Sequence, residues 1–228
     1  MRSKTILTTL AFVLIAIPAA RAQDAKAKAG PSSAQSASAA KAAPAPAVAK
    51  QLPCYPMTTC VACGKPLPAA PVDYVKGTQL FRLDSEACQK AVDADVAGMT
   101  KKVNDAVVAQ QKPTYPMKTS PVSDKPLEAT AVDHVYAMRL VRLASPEEVA
   151  AFEKDPAPAM AKVDKALIDA QLASYASKTC PVSKEELGKD GEPVNYLYGT
   201  TLVRFCCKDC IKSFEKEPAK YAKAGSPH

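Results

Sequence analysis

Three cysteines fall within five positions in "RFCCKDCIKSF", residues 204–214, and a further pair stands in "CVACGK", residues 60–65. Thiols this close can do three kinds of chemistry. As thiolates they ligate a soft or borderline metal, as a dithiol they exchange electrons, and as an oxidised pair they staple the chain. Cys60, Cys63, Asp84 and Cys88 follow one spacing: two positions three apart, a gap of about twenty residues, then two positions four apart. Cys180, Ser183, Cys206 and Cys210 repeat that spacing, with Cys207 added. A third stretch offers Ser120, Ser123, Ala144 and Glu148 at the same positions and has no thiol.

The spacing favours a metal. A thiolate pair on a tight turn that meets a second pair at a helix start can build a tetrahedron, and the helix N-terminus stabilises the negative sulfurs. Gly64 permits the tight backbone path after the second ligand. Asp84 can supply an oxygen as the fourth ligand of the first set, since carboxylates also ligate zinc. In the other set the fourth donor is Cys207, Ser183 or an open position. Zinc is the expected cofactor, with copper(I) as the alternative because thiolates favour it.

Two rivals stand beside this reading. Eight cysteines in an exported chain are the ordinary mark of disulfides, and Cys54 with Cys88, or Cys180 with Cys207, are pairings the sequence permits. Adjacent Cys206 and Cys207 are poor partners for each other, because neighbouring Cα atoms lie about 3.8 Å apart. The protein would then be a disulfide-stapled repeat acting as a structural or protein-interaction module. Cys60-x-x-Cys63 and Cys207-x-x-Cys210 also have dithiol oxidoreductase spacing, but no thioredoxin-like alternation of strands and helices surrounds them. No Ser-His-Asp set, phosphate loop or placed carboxylate pair is present, and the chain has only two histidines, so no enzyme is expected.

The elements that must hold these positions repeat three times. "YPMTTCVACGKPL" from Tyr55, "YPMKTSPVSDKPL" from Tyr115 and "YASKTCPVSKEEL" from Tyr175 start 60 residues apart. Each leads into a pair of alternating apolar runs and then into helical periodicity. Tyr55, Tyr115 and Tyr175 are expected to pack or hydrogen-bond at each unit's start. Met57 and Met117, each beside a proline, read as packing rather than as copper ligands. Met99, Val103 and Val107, and Met160, Val163 and Leu167, read as the core faces of second helices. "SPEE" at 145–148 reads as a capping box in which Glu148 answers Ser145, and "SEAC" at 85–88 has the same register. By that register Cys207 is a helix cap and Cys210 the third helical residue. His134 reads as a surface or half-buried strand residue, and His228 as terminal.

The third unit's "CPVS", "VNYLYGTTLVRFCCKDC" and "F-E-K-E-P-A-K-Y" resemble the YHS and TRASH domains. These are small treble-clef-like modules that bind or sense metals, with a Cys-x3-Cys step, an aromatic residue and a Pro-x-x-Tyr tail. Cys206, Cys210, Phe214 and Pro218 to Tyr221 stand at those features. The first unit resembles the same family, and a zinc-binding ribosomal relative, through Cys60, Cys63, Gly64 and Cys88. Ser183, Asp84 and the thiol-free second unit depart from the pattern. The resemblance implies an α+β fold of three tandem small units, each a knuckle and β-hairpin followed by helices, and a role in metal handling or sensing.

The expected organisation is a signal peptide over 1–22, an Ala/Pro/Ser/Lys-rich disordered linker over 23–50, and units at 51–111, 112–172 and 173–228. Arg2 and Lys4 precede an apolar run too short to span a bilayer, and "ARA" at 20–22 offers a cleavage site. A periplasmic or secreted protein without stable membrane insertion is expected. Beyond residue 22 there remain 27 basic against 23 acidic residues, too mild a surplus to imply nucleic acid. The expected partner is a metal ion; the sequence names no protein partner.

Overall fold

The computed structural model describes residues 46–189 and 191–221. The expected signal peptide, most of the expected linker and His228 lie outside them. The described chain is mixed α and β, with seven α-helices and three two-stranded antiparallel hairpins.

One local plan occurs three times. It opens with a turn closed by a single bridge, Thr59 to Pro66, Thr119 to Pro126 and Thr179 to Glu186. A hairpin follows: β1 (Val72–Lys76) with β2 (Gln79–Leu83), β3 (Val132–Tyr136) with β4 (Arg139–Leu143), and β5 (Val194–Tyr198) with β6 (Thr201–Phe205). A short helix comes next: α2 (Ala87–Ala94), α4 (Glu147–Lys154) or α6 (Lys208–Lys216). The first two continue into long helices, α3 (Val96–Gln111) and α5 (Pro156–Leu172), and the third into one turn, α7 (Pro218–Tyr221). The sequence reading places a linker up to residue 50, but helix α1 (Pro46–Gln51) begins earlier. The reason is packing, because Val48 and Gln51 are buried.

The second strand of each hairpin carries the core. Leu80, Phe81 and Leu83, Leu140, Val141 and Leu143, and Leu202, Val203 and Phe205 are almost wholly buried. Phe152 and Phe214 cover their hairpins from the following helices, and Val92 does so in the first unit. Met99, Val103, Val107 and Val163 are buried on the long helices, as their spacing predicts.

The long helices couple successive units. α3 packs on the β3–β4 hairpin and α5 on the β5–β6 hairpin. Each contact is fixed by a glutamine that uses both ends of its amide. Gln111 Nε2 donates to Met138 O at 2.9 Å while its Oε1 accepts from Leu140 N at 2.8 Å, and Gln171 treats Thr200 O and Leu202 N in the same way at 2.9 Å each. The repeated tyrosines lock each turn to its hairpin. The hydroxyls of Tyr55, Tyr115 and Tyr175 accept from the backbone N–H of Arg82, Arg142 and Arg204.

Candidate metal centres

The residues at 60–65, 120–125 and 180–185 form one knuckle three times. The fifth residue donates its N–H to the first carbonyl, from Gly64, Asp124 and Lys184 at 2.8, 2.9 and 3.0 Å. The first N–H donates to the sixth carbonyl at 2.8 Å in every copy. This path forces positive φ at the fifth residue, at 73°, 61° and 65°. Glycine adopts it freely, aspartate at some cost and lysine at more.

Each hairpin's second strand then ends beside the knuckle, and the next helix begins there. In the first unit this brings Cys60, Cys63, Asp84 and Cys88 together, with all four ligand atoms within 4.8 Å of one another. In the third unit Cys180, Cys206 and Cys210 meet the same condition. A zinc–sulfur bond of about 2.3 Å sets tetrahedral sulfurs about 3.8 Å apart. Cys206 and Cys210 sulfurs stand 3.6 Å apart, near that edge and far beyond a disulfide bond. None of the eight cysteines is paired. The three sulfurs and one carboxylate of the first unit fit a four-coordinate borderline metal, and the three sulfurs of the third fit a soft one.

The expected eighth ligand, Cys207, stands apart from its group. As expected it caps α6, with an extended backbone, and Cys210 is the third helical residue. Its exposed sulfur is 3.6 Å from Cys210 but does not join the set of mutually close donors. Ser183 fills the place of Cys63, its hydroxyl 3.3 Å from the Cys206 sulfur.

The thiols differ in acidity because the knuckle aims donors at its first sulfur. Burial opposes charge on Cys180, but the Ser183 hydroxyl and the backbone N–H groups of Cys206, Ser183 and Val182 bring its pKa to about 6. Burial likewise opposes charge on Cys60, yet the N–H groups of Cys63, Asp84 and Ala62 hold it below the usual thiol value. The helix thiols go the other way. Asp84, accepting from Cys88 at 2.9 Å, pushes that thiol up to about 12, and burial beside Cys206 and Cys207 raises Cys210. In each group the knuckle thiol is therefore the more acidic and the helix thiol the less, and a bound cation would displace the helix proton.

The second unit corrects the reading of Glu148 as the capping-box partner of Ser145. Helix α4 has no side-chain cap bond. Glu148 instead occupies the position of Cys88 and Cys210, and its carboxylate accepts from the Ser120 and Ser123 hydroxyls at 2.5 Å each and from Ala144 N at 2.9 Å. All four positions of the thiol pattern meet in this clamp. The capping reading failed because the knuckle, distant in sequence, offers two hydroxyl donors that outcompete a local backbone N–H. The signal was the shared spacing itself, which put Glu148 in register with Cys88 and Cys210.

The remaining singled-out residues are scaffold. His134 is half-buried, edge-on to Phe152 and 3.9 Å from Glu153, and burial lowers its pKa while Glu153 partly offsets this. Tyr74 and Tyr196 stand at the same place and donate to Asp93 and Glu215. Cys54 lies buried against the Gly199 turn. Among the described residues no helix is long and apolar enough to cross a membrane. Comparison with known proteins finds no family model, no curated protein and no solved structure that matches the chain.

Proposed function

We propose that this chain is an exported metal-binding protein of the YHS/TRASH type, built of three treble-clef-like units, that handles or senses metal rather than catalysing a reaction. Zinc is the first expectation and copper(I) the alternative. Cys60, Cys63, Asp84 and Cys88 hold one ion, and Cys180, Cys206 and Cys210 hold another. The reading rests on one observation: two separate sets of donors, at equivalent positions of two repeats, each converge to within 4.8 Å. The charged apolar-flanked start of the chain supports export.

The test measures metal content and free thiols together on protein exported to an oxidising compartment. One or two zinc or copper atoms per chain with free thiols otherwise accounted for as ligands is the expected result. Cys210→Ser should then lose one atom. A metal-free chain with two or more disulfides, or full metal retention in Cys210→Ser, would overturn the assignment.

A further inference from the structure

The two cysteine groups are unequal in a way that bears on what each does with an ion. The first is closed by four donors, three sulfurs and the carboxylate of Asp84, all within 4.8 Å of one another. The third unit has three thiols, a neutral hydroxyl from Ser183 in the fourth place, and an additional thiol on its rim. Zinc seeks four ligands, whereas a soft monovalent cation such as copper(I) is satisfied by sulfurs alone. The rim thiol is also well placed for traffic. Cys207 is exposed, whereas Cys180 and Cys210 are buried, and its sulfur is one ligand-to-ligand distance, 3.6 Å, from Cys210.

Resting on the metal reading above, we propose that the third unit's group is an exchange centre for a soft monovalent cation, with Cys207 as the thiol through which the ion enters and leaves, while the first unit's group retains its ion. Entry is a ligand exchange with no change of oxidation state. The Cys207 thiol releases a proton to water as its sulfur bonds the ion carried by an incoming thiolate donor. Cys210, then Cys206 and Cys180, add their sulfurs, each still-protonated thiol releasing its proton. The donor's bond breaks and that thiolate takes up a proton from water. Finally the Cys207 bond breaks and its thiol is reprotonated. Delivery is the same sequence reversed, towards a partner that itself presents thiolates.

The experiment loads the full chain with copper(I) without oxygen and follows its transfer to an excess of a water-soluble copper(I) chelator. Two phases are expected, the fast one corresponding to one ion and absent in Cys180→Ser. Cys207→Ser should keep the stoichiometry and slow the fast phase by about tenfold or more, the loss of one intramolecular entering ligand. Serine is a good helix cap, so this variant keeps the start of α6. Release of both ions in one phase, an unchanged fast phase in Cys207→Ser, or loss of an ion from that variant would each overturn the proposal while leaving the metal reading standing. Failure of the chain to bind any copper(I) or zinc would instead overturn the metal reading, and this inference with it.

Discussion

Glu148 accepts three hydrogen bonds in a nearly closed site, and each donor lost on substitution would be left without a partner. Glu148→Ala is expected to destabilise the second unit by about 2 to 4 kcal/mol, because two hydroxyls and one N–H lose their acceptor. Acid should remove the same contribution. The serine hydroxyls and Ala144 N–H outweigh burial and hold the carboxyl below its ordinary 4.5, so the unfolded chain binds the proton more readily. The stabilisation is complete above about pH 4.5 and is lost as pH falls through the folded value. Unfolding in urea from pH 6 to pH 3 should show the parent and Glu148→Gln converging on acidification, and parallel curves would contradict this. Lys184 makes the opposite case, since its φ of 65° is the region a β-carbon opposes. Lys184→Gly should stabilise the third knuckle by about 1 kcal/mol or slightly less, read as a higher urea midpoint, because Gly64 holds this place in the first unit without strain.

At the level of elements, the knuckle, hairpin and helix form one device for bringing residues distant in sequence to a point, and what stands at that point differs between units. Converting the clamp into a thiol group should therefore add a site: Ser120→Cys, Ser123→Cys and Glu148→Cys together are expected to raise metal stoichiometry by one ion per chain. An unchanged stoichiometry in a folded variant would deny that the second unit is built like the others. Much of this device was legible in the sequence. Strand alternation placed the hairpins, the three-to-four spacing of Met99, Val103 and Val107 placed a core helix, and the thiol spacing placed Cys60, Cys63, Asp84 and Cys88 in one group. What escaped depended on contacts remote in the chain. Ser145 to Glu148 satisfies the local capping rule, and nothing nearby announces that Ser120 and Ser123 will supply better donors. Residues 46–50 read as linker because their composition is poor in apolar residues, yet they belong to helix α1, in which Val48 and Gln51 are buried.

Across the whole molecule the repeats do not hang as separate beads, because parts of all three approach one another around Cys54. Its sulfur would lie 2.9 Å from a β-carbon at Gly199, in the third unit's hairpin turn, and Arg139, at the start of β4 in the second unit, is near enough to oppose the effect of burial that raises this thiol to about 11. Arg139 is also paired with Asp164 on α5, the helix that carries the chain into the third unit. Two glycines at equivalent turns allow the junction to be weighed separately from backbone strain. Gly77 has φ of 58° with open space where a β-carbon would stand, and Gly199 has φ of 67° with Pro53 and Cys54 against it. Gly77→Ala should cost about 1 kcal/mol, the strain of a left-handed alanine. Gly199→Ala should cost that and a further 1 to 3 kcal/mol or so, because Pro53 and Cys54 must move or be overpacked. Trimming the neighbour should restore much of the difference, so a double-mutant cycle with Cys54→Ala, followed by urea unfolding, measures the contact between the first and third units directly. Equal costs at Gly77 and Gly199, with no coupling to Cys54, would mean that these two units stand apart in solution and that each metal group must hold its unit together without its neighbours.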